Sequence, residues 1–280
     1  MKSLTPYEQT ELQHILDWKK TPPAFFNRAS HAFWGLPDWL NSRLAKNGTV
    51  LSALQAANNA AKFLADKKDI LREAEVDDIA ELRLTPLNEC DTLARQVQNW
   101  AIAICAGEGL AIGFTGAWGL AVDIPFTITF ALRTIHKIGL CYGFEPESPD
   151  DDWYAMAVLA ASCANNEADK QAALQLMHAH MQIGNGKKKT TPVQPPTERV
   201  LFNLATQINL NLAQRKALQV IPIVGTAAGL TVNALFIHDI CLTARRAFQE
   251  RWFRLHHKYK EPQAPRPESK LLDWFKRSGK

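Results

Sequence analysis

A chain of 280 residues, 46% of them hydrophobic and 21% charged, is long enough for one domain or two closely packed ones around a sizeable core. Its five cysteines (Cys90, Cys105, Cys141, Cys163 and Cys241) are odd in number and form no CxxC pair. This argues against a disulfide framework or zinc site and for reduced thiols in a cytosolic compartment. The net charge of +4 is uneven: residues 245–280 hold eleven Lys or Arg against four acids, so this end is +7 and the rest of the chain −3.

The first twenty residues lack the apolar core of a signal peptide and read as a helix. Thr5, Pro6, Tyr7 and Glu8 form a capping box, with Thr5 at the N-cap and Glu8 reaching back. Leu12, Ile15, Leu16 and Trp18 give that helix an apolar side, and Pro22-Pro23 ends it. Residues 24–44 mix aromatics with Gly35 and Pro37 and read as short helices around a turn. Helices are expected over 48–66 and 71–82, and Asn88 or Asp91 is expected to cap the helix that follows.

From Val97 to Leu132 the only formal charges are Glu108 and Asp123, inside the series Gly107, Gly109, Gly113, Gly116 and Gly119. A second uncharged stretch, Ala217 to His238, contains Pro222, Gly225 and Gly229 and ends at Asp239. Soluble helices normally keep a polar face, so such segments belong inside protein or in lipid. Each glycine costs about 1 kcal/mol in a helix relative to alanine, so the first stretch is better read as a hairpin of two shorter helices. Its longest uncharged run, 109–122, is fourteen residues, short of the roughly 20 needed to span a bilayer. Burial in the domain and shallow interfacial insertion therefore both stand. Gly109/Gly113 and Gly225/Gly229 have the spacing that lets helices approach closely.

Asp123, just before Pro125, is expected to cap a helix or meet a cation such as Arg133, because an unpaired carboxylate in apolar surroundings is costly. Asp239, ahead of Arg245 and Arg246, poses the same problem. After the first stretch, Tyr142-Gly143-Phe144 with Pro146 and Pro149 reads as a helix stop, and Asp150-Asp151-Asp152 as the acidic start of the next helix. Helices are expected over 153–164, 167–183 and 197–218. Residues 184–196, with Gly184, Gly186, three lysines and three prolines, read as an internal linker. Residues 261–280 read as a proline-containing linker and a short basic amphipathic tail, in which Leu271, Trp274 and Phe275 share a side near Lys270, Lys276 and Arg277. Period-two alternation is nearly absent, so the expectation is an all-α fold: a multi-helix globular domain over 1–260 in which two apolar Gly/Pro-interrupted helical hairpins pack together.

No metal or cofactor signature emerges: there is no HExxH, no P-loop, no GxSxG elbow, and no strand precedes GEGLAIG. His178 and His180 are two apart and point to different helix faces. Read from the residues, the chain offers no nucleophile or metal partner for catalysis, and the leading expectation is that it has no catalytic site. Its basic end (Arg245, Arg246, Arg251, Arg254, Lys270, Trp274, Phe275, Lys276 and Arg277) meets an anionic membrane surface or membrane partner. The alternatives are a hydrolase-type enzyme with Glu108, Asp123 and His136 in a cavity between the hairpins, and a lipid or small-molecule carrier. Nucleic-acid binding is disfavoured, because the body is slightly acidic and the tail lacks a reading helix.

Several elements together resemble the EcsC protein family. They are Tyr7-Glu8 and Trp18-Lys19, the glycine run closing in Asp123-Ile124-Pro125, Arg133-Thr134-Ile135 with Tyr142-Gly143-Phe144, and Val220 to Gly225 continuing to Asn233 and Asp239. The resemblance covers about Thr5 to Arg254; Ile221 departs from the family's valine, and nothing after Leu255 has a counterpart. It implies a bacterial, cytoplasmic accessory protein, attached peripherally to the inner membrane or linked to an ABC transporter, and it supplies no catalytic residues.

Overall fold

The computed structural model describes residues 3–23, 49–112, 120–181 and 232–259, with isolated positions 196, 200, 208 and 211; the side chains of 49–51, 53, 106–112, 120–125 and 232–233 lie outside that description. The expected helix over 197–218, the linker 184–196, the second apolar stretch as far as 231 and the tail from 260 fall almost wholly outside it. Among the described residues there are eight α-helices, one short 3-10 helix and no strand. They are α1 (Pro6–Lys20), α2 (Thr49–Leu64), α3 (Lys68–Ala74), α4 (Leu87–Ile112), α5 (Leu120–Cys141), α6 (Pro149–Ser162), α7 (Glu167–Ala179) and α8 (Val232–Leu255), with the 3-10 helix at Ile79–Arg83. The fold is all-α, as the absence of alternation implies.

Local chemistry explains most of the boundaries. Thr5 caps α1 and Glu8 returns a carboxylate to the Thr5 N–H, with Pro6 at the first turn. Ser148 caps α6 and exchanges the same reciprocal bonds with Asp151, which corrects the expected start by four residues. The single helix expected over 71–82 is instead α3 followed by the 3-10 helix. Glu75 turns into the left-handed region (φ 54°), and Asp78 opens the 3-10 helix with its own capping box to Glu81. Asp91 does not cap α4, because that helix begins at Leu87 and carries Asp91 inside it. Likewise α5 begins at Leu120, so Asp123 and Pro125 lie within its first two turns and Asp123 does not cap a helix starting at Pro125.

The first apolar stretch is two helices, α4 and α5, packed on each other. α2 lies along α5, α6 pairs with α7, and α8 packs against α4, α5 and α6, so α8 is the element that joins the groups. α1 straps across α8. From Tyr154 to Ala161 every residue of α6 is buried, which is why that helix shows little amphipathic pattern. On Phe248 of α8 stack Tyr142 and Phe144, and Tyr154 meets it edge-on, with centroids 5.4–6.4 Å away. The close approach between α5 and α8 falls at Gly139, where a Cβ would stand 2.7 Å from Phe248 Cζ.

Candidate functional site

Two regions carry more than packing. The first is a ridge on the α4–α5 hairpin. Phe126, Phe130, Arg133 and Lys137 follow spacings of three and four residues along α5 and so share one face. Trp100 of α4 stands beside them. Trp100 and Phe130 stack with centroids 6.4 Å apart, and Phe126 continues the stack at another 6.4 Å. The Arg133 guanidinium lies 4.8 Å from the Trp100 ring centre and the Lys137 ammonium 5.7 Å. Trp100 and Phe126 remain 47% and 53% exposed, and Leu64, whose carbonyl accepts from Arg133 Nε at 3.0 Å, is 49% exposed. Large apolar side chains this exposed and this contiguous are not needed for folding.

Trp100 also lines a groove of about 320 Å³ between α3 and α4. Leu93, Val97 and Ile70 make its apolar wall, and Asp69, Arg72, Glu73, Gln96 and Lys137 its polar one. Lys137, itself nearly buried, donates to Asp69 at 2.8 Å, and Arg72 reaches the same carboxylate at 3.3 Å. The Lys137 hydrogen bond and charge hold the Asp69 carboxyl below its usual range. Gln96 donates to Glu73 at 3.0 Å.

The second region is polar and interior. Asp91, fully buried, accepts from Tyr7 at 2.6 Å, from Tyr142, and from Gln249 at 2.8 and 2.9 Å. Burial, the Asp91 charge and the hydrogen bond to it push the Tyr142 phenol well above its ordinary range. Gln249 also donates to Glu11 at 2.9 Å, and Glu11 accepts from Arg246 at 2.5 Å. Glu250, fully buried, receives Lys19 at 2.8 Å, Arg254 at 2.5 Å and His178 at 3.3 Å. Burial would raise its pKa; the His178 hydrogen bond and the charges of Lys19, His178 and Arg254 outweigh this and hold it at about 2. Lys258 meets Glu8, and Arg251 meets Asp151 at 2.9 Å while lying over Phe144 and Tyr154. These groups satisfy one another across α1, α4, α6, α7 and α8. Their chemistry is that of a clamp between helices.

This placement corrects the expected basic surface. Arg245 and Arg251 are buried, Arg246 and Arg254 are bound to interior carboxylates, and none of the four is presented outward as a free cation. The acids that absorb them come from two other elements, Glu11 of α1 and Asp151 of α6, and from Glu250 one helical turn away, so charge counted along the segment gave no sign of the first two. Lys270, Trp274, Phe275, Lys276 and Arg277 lie outside the described residues, as do Gly113, Gly225 and Gly229. Gly109 lies in α4, Asp123 and Pro125 lie in α5, and the side chains of Glu108 and Asp123 are outside the description.

Arg133 is engaged with Leu64 and Trp100. His136 is buried with its Nε2 2.8 Å from Asn58 Oδ1, and Asn58 and Lys62 both donate to Asp152. Burial drives the His136 pKa down to about 4, so it is a neutral core group. Asp239 lies in α8 with His238 at 3.6 Å. No group of His, Cys, Asp and Glu suited to a metal occurs among the described residues. The ridge itself was missed from sequence: Trp100, Phe126 and Phe130 lie in apolar text, where spacing alone does not separate a surface stack from core. Arg133 and Lys137 at i and i+4 were the available signal.

The model of the EcsC protein family matches residues 9–253. A protein of Bacillus subtilis (strain 168), named uncharacterized protein YdbA, is 23% identical over 253 residues, covering 86% of this chain and 91% of the relative. No solved structure matches the chain.

Proposed function

The chain belongs to the EcsC protein family, and from that premise we propose that it is a non-enzymatic accessory protein that sits peripherally on a membrane through the α4–α5 hairpin. The observation that carries this reading is the stack Trp100, Phe130 and Phe126, about half exposed at Trp100 and Phe126 and flanked by the partly exposed Arg133. Beyond the stack, α4 past Trp100 and α5 before Phe126 contain only Glu108 and Asp123 as charges. Aromatic side chains favour the boundary between water and acyl chains, and Arg or Lys above them keep their charge among headgroups. Among the described residues no helix is long and apolar enough to cross a membrane, so the fitting mode is shallow seating in one leaflet. The basic chain end contributes through residues 270–280 and not through the interior arginines. An ABC transporter is the membrane partner to test first, a suggestion that rests on the family resemblance alone.

Flotation of the full chain with vesicles containing anionic lipid tests the reading. The parent is expected in the lipid fraction and Trp100→Ala/Phe126→Ala is expected to stay behind. Both side chains are about half exposed, so the variant keeps its fold. Equal flotation of parent and variant, or none by the parent, removes the basis for a membrane role of this hairpin.

A further inference from the structure

We infer that the groove between α3 and α4 is a binding site for the headgroup of a phospholipid carrying both a phosphate and a primary ammonium, such as phosphatidylethanolamine. This rests on the membrane reading above and adds which lipid is chosen. Three features of the groove argue for it.

The first is charge balance. The polar wall has two cations, Arg72 and Lys137, and two carboxylates, Asp69 and Glu73. A net-neutral ligand can exchange these ion pairs one for one, its phosphate taking Arg72 and its ammonium taking a carboxylate. A monoanionic headgroup would leave an uncompensated negative charge there, which a partly desolvated site disfavours. The second is access. Arg72 and Asp69 have side chains 80% and 52% exposed, so their mutual contact opens without disturbing the core, whereas Lys137, 8% exposed, stays fixed as the base of the site. The third is continuity. Trp100 belongs to both the groove wall and the aromatic ridge. A headgroup in the groove therefore has its glycerol and acyl chains beside Trp100, Phe130 and Phe126, in the direction of the uncharged hairpin.

The ammonium is the discriminating group. A primary ammonium donates three hydrogen bonds and can add one to Asp69 and one to Glu73, four residues apart on α3, whereas a choline headgroup donates none and adds no bond to either carboxylate. Two partly exposed charge-assisted bonds correspond to roughly a threefold to tenfold preference.

The test compares vesicles of phosphatidylethanolamine and phosphatidylglycerol with vesicles of phosphatidylcholine and phosphatidylglycerol at the same glycerol-lipid fraction. The full chain is expected to partition severalfold more strongly onto the first. Glu73→Gln, an exposed substitution whose described polar neighbour is Gln96, is expected to float on both vesicles without preference. Asp69→Asn should do the same, and far-UV circular dichroism checks that each variant is folded. Equal partition of the parent, or a preference that survives both substitutions, overturns the headgroup site while leaving the membrane reading standing. Absence of flotation on either vesicle overturns both. Soluble glycerophosphoethanolamine that binds as tightly as the vesicles assigns the groove to a free metabolite and overturns the lipid assignment.

Discussion

Replacing Glu250 by Gln tests the interior clamp most directly. The carboxylate is fully buried and faces Lys19, Arg254 and His178. Its pKa moves from 4.5 in the free group to about 2 in the fold, and at about 1.4 kcal/mol per unit this is roughly 3 kcal/mol of stability. Because the folded value lies below the unfolded one, that stability is fully present above pH 4.5 and disappears as pH falls through about 2. In Glu250→Gln the cations lose their counter-charge inside the protein, and removing one member of a buried pair costs about 3–5 kcal/mol. Urea unfolding monitored by tryptophan fluorescence, run at intervals from pH 7 to pH 2.5, measures both effects. The gap between parent and variant should be largest near pH 7 and narrow steadily below pH 4.5, since the parent alone loses the carboxylate's contribution. A gap under about 0.5 kcal/mol at pH 7, the usual scale of a surface substitution, refutes the argument. So does a gap that is constant with pH.

Further outcomes follow from other sites. His136 is held neutral, with its pKa lowered from 6.5 to about 4, so the unfolded chain takes up a proton first and stability should fall between pH 6.5 and 4; His136→Gln should flatten the unfolding free energy in that window. Asp91→Ala strands the buried phenol of Tyr142 and removes one acceptor each from Tyr7 and from Gln249, which keeps its bond to Glu11; the buried phenol alone is worth about 1–3 kcal/mol, and a melting temperature that did not drop would contradict the network. Gly139→Ala pushes a methyl against Phe248 and should cost about 1–3 kcal/mol. Gly143→Ala should cost more, because its φ is +80° and the new Cβ would lie 2.5 Å from the Arg83 backbone nitrogen, which cannot step aside as a ring can. Equal unfolding free energies for the two alanine variants would count against that ordering.

Those interior groups also mark how far the sequence could be read. Local signals survived translation into structure: the Thr5 to Glu8 capping box, the division of 97–132 into two helices, and the stop at Tyr142-Gly143-Phe144 each depend on residues within one turn. Glu75 broke an expected helix because a left-handed glutamate leaves no mark in composition. The largest divergence was α8. Its Arg245 to Arg254 segment has the composition of a solvated basic face, yet Arg245, Gln249, Glu250 and Arg251 are all buried. Their partners Gln98, Asp91, Lys19 and Asp151 lie 100 to 231 positions away, and pairing over that separation has no periodicity to betray it. Close packing through glycine was expected at Gly109, Gly113, Gly225 and Gly229; the described residues exhibit it at Gly139, which stands in an ordinary-looking helix end.

The strap formed by α1 has a consequence for the order in which the molecule is made. Glu8 and Glu11 leave the ribosome well before the residues they bind, Lys258 and Arg246, which are synthesised 250 and 235 positions later. At about 5–20 residues per second, α1 waits from roughly ten seconds to a minute for its mate. During that interval its apolar side, led by Ile15, has nothing of α8 to rest on. Docking of α1 on α8 therefore waits until residues 246–258 have been made, and a nascent chain arrested before residue 246 should leave Pro6–Lys20 open to a chaperone or protease.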